Sequence, residues 1–197
     1  MNNNNLTDEQ LIRLAAGHDE SAFAELVRRY QERILNLAYR STFNADEAED
    51  ITVEVFFNAW RYAKDFKGDA AFSTWLYRIA VNLCLNYKKK TGRAPFVSSL
   101  DEPVPNTDGV LKREAPEPHR YQPEQAAVAG ERDALLWEAI NALAPNQRMA
   151  LVLSWFEGFS YKEIAAMMGV SVPAVESLLF RAKESLKKNV SPALHKP

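Results

Sequence analysis

The sequence predicts an all-α protein of two small helical domains joined by a flexible linker, with a helix-turn-helix in the C-terminal domain. Apolar residues recur at intervals of three and four along most of the chain, and no useful length alternates as a strand does. The linker interrupts this pattern, because residues 91–130 hold six of the ten prolines and little periodicity. The predicted bounds are 1–92, 93–130 and 131–197.

The first two predicted helices have clear local signals. Thr7 and Gln10 match a capping box, and Gly17 stands where the first helix would end. Residues 19–40 then form an amphipathic helix whose apolar positions are spaced by three and four. These positions are Phe23, Leu26, Tyr30, Ile34 and Leu37.

Two further helices complete the predicted N-terminal domain. Residues 46–64 begin with acids, which favour a helix N-terminus, and Ile51, Val55 and Ala59 form its core stripe. Residues 71–90 form the next helix. Its predicted core stripe is Phe72, Leu76, Ile79 and Leu83. The residues predicted to point away from that stripe are Thr74, Tyr77, Arg78, Val81, Leu85 and Lys88.

The C-terminal domain is predicted to contain four helices, of which the last two form the helix-turn-helix. Leu135 to Leu143 and Asn146 to Glu157 give the first two. Ser160 with Glu163 begins the third, Gly169 ends it, and Ser171 caps the fourth. The predicted buried side is Val175, Leu179, Ala182 and Leu186. The predicted outward side is Pro173, Ser177, Phe180, Arg181, Glu184 and Lys188.

Composition excludes several classes of protein. The single cysteine, Cys84, cannot form an internal disulfide and has no neighbouring ligand for a zinc module, which fits a reducing compartment. No apolar run approaches membrane-spanning length. The three histidines are scattered, and no nucleophile–base or metal-ligand spacing occurs. We therefore expect a cytoplasmic protein that is not an enzyme, does not insert into a membrane, and uses no metal or cofactor.

Charge is distributed unevenly although the net charge is only −2. Residues 42–60 hold five acids and no Lys or Arg, whereas residues 61–93 hold eight cations and two acids. In residues 66–90 the cations are interleaved with aromatic residues, which together suit single-stranded nucleic acid. Phe72 lies on the core stripe, whereas Trp75 and Tyr77 lie at or beyond its edge. The acidic helix, with Phe56, Phe57 and Trp60, favours a docking face for a basic partner.

Each pattern also has a simpler explanation. A helical hairpin can show the caps of a helix-turn-helix without binding DNA. The aromatic residues of 66–90 can be core, and the acidic helix can be plain solvated surface.

Taken together, three segments resemble the extracytoplasmic-function (ECF, group IV) sigma factors of the bacterial sigma-70 superfamily. DEAEDITVEVFFNAWRYAKDF at 46–66 is similar to the family's core-polymerase-binding helix. FKGDAAFSTWLYRIAVNLCLNYKKK at 66–90 is similar to its minus-ten melting segment. LAPNQRMALVLSWFEGFSYKEIAAMMGVSVPAVESLLFRAKESLKK at 143–188 is similar to its minus-thirty-five module. The similarity covers nearly the whole chain except its first residues and the linker.

The resemblance implies an RNA polymerase sigma factor that binds bacterial core polymerase and promoter DNA, serves a stress or envelope response, and is held by an anti-sigma factor. The residues implied to contact the polymerase are Asp50, Glu54, Phe57 and Trp60. Those implied to capture and hold the melted minus-ten strand are Lys67, Phe72, Trp75, Tyr77, Arg78, Asn82, Lys88 and Lys89. Those implied to read the minus-thirty-five duplex are Ser171, Glu176, Ser177, Phe180, Arg181 and Lys183.

Two features depart from the family pattern. Glu176 stands where many members carry a cation, and the linker is long. We also expect Val81 and Leu85 to be exposed, where they would suit an anti-sigma factor or the polymerase.

Two alternative functions stay open on the residues alone. A stand-alone helix-turn-helix regulator would use the acidic aromatic helix as a dimer face, but it has no need of base-stacking aromatics. An adaptor protein without DNA contact leaves both basic clusters unexplained.

Overall fold

The computed structural model describes the backbone of residues 3–90 and 131–194, and the side chains of residues 3, 5–87 and 134–190. All regular secondary structure in those ranges is helical, which confirms the predicted fold class. The chain divides into two compact units, described separately below. The predicted linker at 93–130 lies outside the described residues.

The N-terminal unit contains four α-helices. They are α1 (Asp8–Ala16), α2 (Glu20–Thr42), α3 (Ala45–Arg61) and α4 (Phe72–Lys90), with 3-10 turns at Asn3–Asn5 and Ala63–Asp65. Helix α2 packs against both α1 and α3, and α1 also packs against the Ala63–Asp65 turn.

Side-chain caps fix the starts of the first three helices. The predicted capping box is confirmed, because the Thr7 hydroxyl accepts from Gln10 N at 3.3 Å and Gln10 Oε1 accepts from Thr7 N at 2.8 Å. Asp19 accepts from the backbone N–H of α2 at Ala22, and Asn44 does the same for α3. These bonds satisfy donors that have no partner within the helix.

Helix α3 presents the predicted core stripe, since Ile51, Val55 and Ala59 are all buried. The prediction for α4 is partly wrong. Phe72 and Leu76 are buried, but Ile79 and Leu83 are only half-buried. The remaining buried positions are Thr74, Tyr77, Ala80, Val81 and Cys84. Helix α4 is apolar around most of its girth, so more than one face fits a spacing of three and four, and spacing alone does not select the buried one.

Over residues 131–194, the described part of the C-terminal domain also contains four α-helices. They are α5 (Glu131–Asn141), α6 (Pro145–Trp155), α7 (Tyr161–Met168) and α8 (Val172–Leu194). Its core includes the predicted stripe of α8, namely Val175, Leu179, Ala182 and Leu186.

A buried arginine connects the first two helices of this unit. Arg148 Nη2 donates to the carbonyl of Leu143 at 3.0 Å and to that of Asn141. Burial lowers the pKa of Arg148 to about 10. Carbonyls at the end of a helix have no partner within it. The Arg148 guanidinium supplies that partner and so links the end of α5 to α6.

The turn between α7 and α8 has the geometry predicted from the caps. Ser160 and Glu163 form a capping box, and Gly169 ends α7 in the left-handed conformation with φ 66°. Ser171 Oγ accepts from Ala174 N at 3.3 Å. The two helices meet at 100°, within the range of helix-turn-helix motifs. Among the described residues, no single helix is both long and apolar enough to cross a membrane.

Candidate nucleic-acid interface

The outer face of α3 combines carboxylates with exposed apolar side chains. Asp50 and Glu54 are exposed, and Phe57 is 61% exposed. Val53, which was not among the predicted contact residues, is 71% exposed. Spacings of three and four place these residues on one face of the helix. That spacing is visible in the sequence and would have identified Val53.

Trp60 lies at the edge of this face and is half-buried. Its ring meets Phe23 of α2 at 5.0 Å and His18 at 6.2 Å, both edge to face. Phe56 is buried against the same Phe23 ring. Of the three α3 aromatics, Phe57 is therefore the side chain most available to a partner, and Trp60 is shared between the core and the surface.

The loop 66–71 and the start of α4 enclose an aromatic cluster. The buried Phe72 ring contacts Tyr30 at 5.4 Å, Phe66 at 6.1 Å and Trp75 at 5.9 Å. Trp75 is half-buried, so part of its ring reaches the surface, and Lys67 is exposed in the loop. The loop therefore presents an exposed cation, and the first turn of α4 presents a partly accessible aromatic ring beside the buried Phe72.

Tyr77 does not face away from the core as predicted. It is fully buried, and the Arg33 guanidinium lies 5.4 Å from the centre of its ring. Val81 is also buried and Leu85 is half-buried, so the expectation that both are exposed is wrong. Phe72 and Tyr77 leave no surface for a base in this structure, because tertiary neighbours cover them.

Two polar residues of α4 do reach the surface. Arg78 and Asn82 are exposed, and their spacing of four places them on one face. A guanidinium and an amide on one face are able to bind a phosphate backbone and base edges. The side chains of Lys88 and Lys89 lie outside the described residues.

The recognition helix of the C-terminal unit carries a mixed surface. Phe180 is 50% exposed, and Glu176 and Arg181 are exposed beside it. Ser177 and Lys183 are half-buried, and Ser171 is exposed at the first turn. The outward side of α8 is therefore as predicted, with Ser177 less open than expected. Arg181 suits guanine or phosphate, and an apolar ring suits a thymine methyl group.

Two sequence-family models match the chain in order. The model described as sigma-70 region 2 matches residues 26–94, and that described as sigma-70 region 4 matches residues 133–186. The RNA polymerase sigma-H factor of Pseudomonas aeruginosa is 38% identical over 95% of both chains. The ECF RNA polymerase sigma-E factor of Escherichia coli K12 is 36% identical over 97% of this chain and 98% of its own.

This chain belongs to the ECF sigma factors of the sigma-70 family. That membership confirms the interpretation of the sequence as an RNA polymerase sigma factor, rather than a stand-alone regulator or an adaptor.

Solved structures share the fold of this sigma factor. CnrH, in complex with the cytosolic domain of CnrY, matches with a TM-score of 0.66 at 24% identity, over 94% of this chain and 97% of its own. The sigma factor RpoE, in complex with the anti-sigma factor NepR from Bartonella quintana, matches with a TM-score of 0.60 at 22% identity, over 86% of this chain and 96% of its own.

The matched regions contain the candidate surfaces of the sigma factor. Region 2 includes α3, the loop 66–71 and α4, and region 4 includes the helix-turn-helix. In the part of the chain that the structure describes, no group of three or more His, Cys, Asp or Glu side chains is placed to hold a metal ion.

Proposed function

We propose that this sigma factor binds bacterial core RNA polymerase, recognises a promoter at two elements, opens the minus-ten element, and makes no covalent bond itself. The proposal assigns polymerase binding and the minus-ten element to residues 1–92, and the minus-thirty-five element to residues 131–197. Residues 93–130 are the linker between them. The supporting observation is the presence of sigma regions 2 and 4 in order, each with its own exposed surface.

The outer face of α3 is the proposed polymerase contact. Asp50 and Glu54 complement a basic partner, and Phe57 supplies an apolar anchor beside them. Interfaces commonly place an aromatic anchor within a polar rim. Trp60 contributes from the edge of the face, where part of its ring is accessible.

The loop 66–71 and the exposed face of α4 form the proposed minus-ten site. Lys67, Trp75, Arg78 and Asn82 supply charge, a stacking surface and hydrogen bonds. Phe72 and Tyr77 support this surface from beneath, because both are buried. Lys88 and Lys89 belong to the same proposal by sequence only. Extracting a base from the duplex costs a few kcal/mol, which binding at such a site offsets.

Helix α8 is the proposed reader of the minus-thirty-five duplex. Its six candidate residues lie on or beside the outward face of the second helix of a helix-turn-helix, the element that enters a major groove. They are Ser171, Glu176, Ser177, Phe180, Arg181 and Lys183.

The proposed compartment, physiological response and regulator of this protein follow from its family. The protein acts in the cytoplasm, where its polymerase is, and serves a stress or envelope response. An anti-sigma factor binds and restrains it, a proposal supported by the structurally similar RpoE, which was solved in complex with the anti-sigma factor NepR.

Transcription in vitro tests the proposal. Bacterial core polymerase is assayed with and without the full chain on a library of stress promoters, and start sites are mapped. Promoter-specific transcripts that depend on the chain are expected. Stable folded protein that neither binds core polymerase nor yields transcripts would contradict it. Polymerase-independent binding with two-fold footprints would favour a stand-alone regulator.

A further inference from the structure

The first turn of α1 bonds to the start of α4. Glu9 Oε1 accepts a hydrogen bond from the backbone N–H of Phe72 at 3.2 Å, across 63 residues of sequence. Phe72 is the first residue of α4, and it directly follows the loop 66–71. A helix other than α4 therefore helps determine where α4 begins.

Helix α4 needs such an acceptor because its own sequence lacks one. The residue before it is Ala71, whose carbonyl accepts from Trp75 N at 3.2 Å but whose side chain cannot cap the helix. The first turn of α4 contains no acidic residue. The Glu9 carboxylate satisfies one of the unpaired N–H groups and places negative charge at the positive end of the helix dipole.

A second α1 residue lies against the loop itself. Gly68 has φ 79°, and a Cβ built on it would lie 3.7 Å from Arg13 Nη2. Arg13 follows Glu9 by four residues, so both lie on one side of α1. Helix α1 also packs against the Ala63–Asp65 turn that precedes the loop. Helix α1 thus contacts the chain before the loop, beside it and after it.

Helix α1 is itself held firmly. Leu11 and Ile12 are fully buried. Arg29 Nη1 of α2 lies 2.7 Å from Asp8 Oδ1, and the Tyr30 hydroxyl donates to the same carboxylate. The Tyr30 ring in turn contacts Phe72. The support for the loop is therefore continuous with the core of the unit.

We infer that α1 positions the loop 66–71, and that Glu9 is the positioning residue that fixes its junction with α4. This inference rests on the proposed function, because the loop's task is to capture the melted minus-ten strand. Glu9 acts through Phe72 and touches no DNA. Without its bond, the N-terminus of α4 frays, and the packing of Phe66 against Phe72 and Trp75 at the end of the loop loosens.

Three substitutions of Glu9 test separately whether the hydrogen bond to Phe72 needs an acceptor, a negative charge and the length of the glutamate side chain. Glu9→Ala removes the acceptor, Glu9→Asp keeps the charge but shortens the side chain, and Glu9→Gln keeps the length but not the charge. Glu20→Ala is the matched control, because Glu20 is an exposed acid in the first turn of α2. Each full-length variant is tested for the hydrogen exchange of the Phe72 amide, for affinity to core polymerase, and for the rate of promoter opening.

The bond predicts one pattern of results. Exchange at Phe72 rises about tenfold or more in Glu9→Ala and Glu9→Asp, as expected for losing a hydrogen bond to a charged group. Glu9→Gln restores most of the protection. Promoter opening slows in the same two variants, while affinity for core polymerase and the behaviour of Glu20→Ala stay at wild-type values.

Two results would overturn the inference, and they are distinguishable from failure of the proposed function. Unchanged exchange at Phe72 in Glu9→Ala would show that Glu9 does not hold the junction. Raised exchange with normal promoter opening would show that the junction does not matter for opening. If wild-type protein initiates nowhere, the proposed function and the loop's role in it fail together, while the exchange data still decide whether Glu9 anchors Phe72.

Discussion

The ring of Trp60 meets the ring of Phe23 edge to face, with 5.0 Å between their centroids. This contact connects the end of α3 to the start of α2. Phe57, one turn earlier on α3, has no such role and is mostly exposed. Loss of the Trp60 side chain therefore removes a contact within the core, whereas loss of the Phe57 side chain removes only exposed apolar surface.

Replacing Phe57 with Ala is expected to weaken binding to core polymerase without lowering stability. A buried aromatic anchor at an interface is worth about 2 kcal/mol, or roughly a 30-fold change in Kd. The unfolding temperature stays near the wild-type value, because the side chain is already exposed in the free protein. Titration of labelled protein with core polymerase measures Kd, and calorimetry measures the unfolding temperature.

Two variants serve as comparisons for Phe57→Ala. Trp60→Ala is expected to lower both affinity and stability, because its ring is shared with the core. Phe180→Ala removes another exposed phenylalanine, but from α8, and should leave the affinity for core polymerase unchanged. An equal loss in Phe180→Ala would show that exposed apolar area in general, rather than the face of α3, binds the polymerase.

Replacing Tyr77 with Ala is expected to destabilise the N-terminal unit by about 3 kcal/mol or more, because large buried aromatic side chains leave cavities. Tyr77→Phe keeps the ring beneath Arg33 and should be far milder. Chemical denaturation measures both. If Tyr77→Ala kept wild-type stability but opened promoters slowly, the result would show that Tyr77 contacts DNA and is not a core residue.

Acid is expected to destabilise the N-terminal unit through Glu25. Hydrogen bonds from Arg28, at 2.7 Å, and from Arg29, at 2.8 Å, lower the pKa of Glu25 to about 2. The pKa of Glu25 in the folded state is below its ordinary value of 4.5. The ionised carboxylate therefore makes its full contribution to the free energy of unfolding above pH 4.5. That contribution is lost as the pH falls toward about 2.

The free energy of unfolding is measured by denaturant titration between about pH 6 and pH 2, at intervals of about half a pH unit. Glu25→Gln should show a shallower decline than wild type below pH 4.5. Glu20→Gln, an exposed acid on the same helix, should follow wild type. Parallel curves for Glu25→Gln and wild type would mean that Glu25 is not the group that titrates.

Replacing Arg181 with Ala is expected to weaken recognition of the minus-thirty-five duplex by about 1–3 kcal/mol if the residue reads a base. Binding of the holoenzyme is measured over a series of salt concentrations and of single base-pair changes. Lys64→Ala is the control, since it removes one exposed cation from the other unit. A uniform loss across all sequences, with a salt slope smaller by about 1, would identify a phosphate contact instead.

Local signals in the sequence predicted much of this fold. The capping boxes at Thr7 and Ser160 are confirmed, because both partners lie within four residues of each other. The buried side of α8 was predicted for a similar reason, since polar residues occupy its other side. In these elements the local preference and the tertiary structure agree.

Other features depend on neighbours that are distant in sequence. The buried face of α4 is selected by elements such as α2, whose Arg33 covers Tyr77, and the periodicity of α4 alone contains no such information. The bond between Glu9 and Phe72 spans 63 residues and matches no local motif. Val53 is different, because its spacing from Asp50 and Phe57 was available in the sequence.

Three consecutive residues of α1 serve three different elements. Asp8 binds Arg29 of α2, Glu9 binds the start of α4, and Gln10 closes the cap of α1 itself. Successive side chains on an α-helix point about 100° apart, so one turn reaches all three. Inserting or deleting one residue between Thr7 and Arg13 would rotate the later side chains of α1 by that angle relative to the earlier ones, so that the contacts on the two sides of the change could not all form. The length of this segment is therefore constrained more strictly than the identity of any one of its residues.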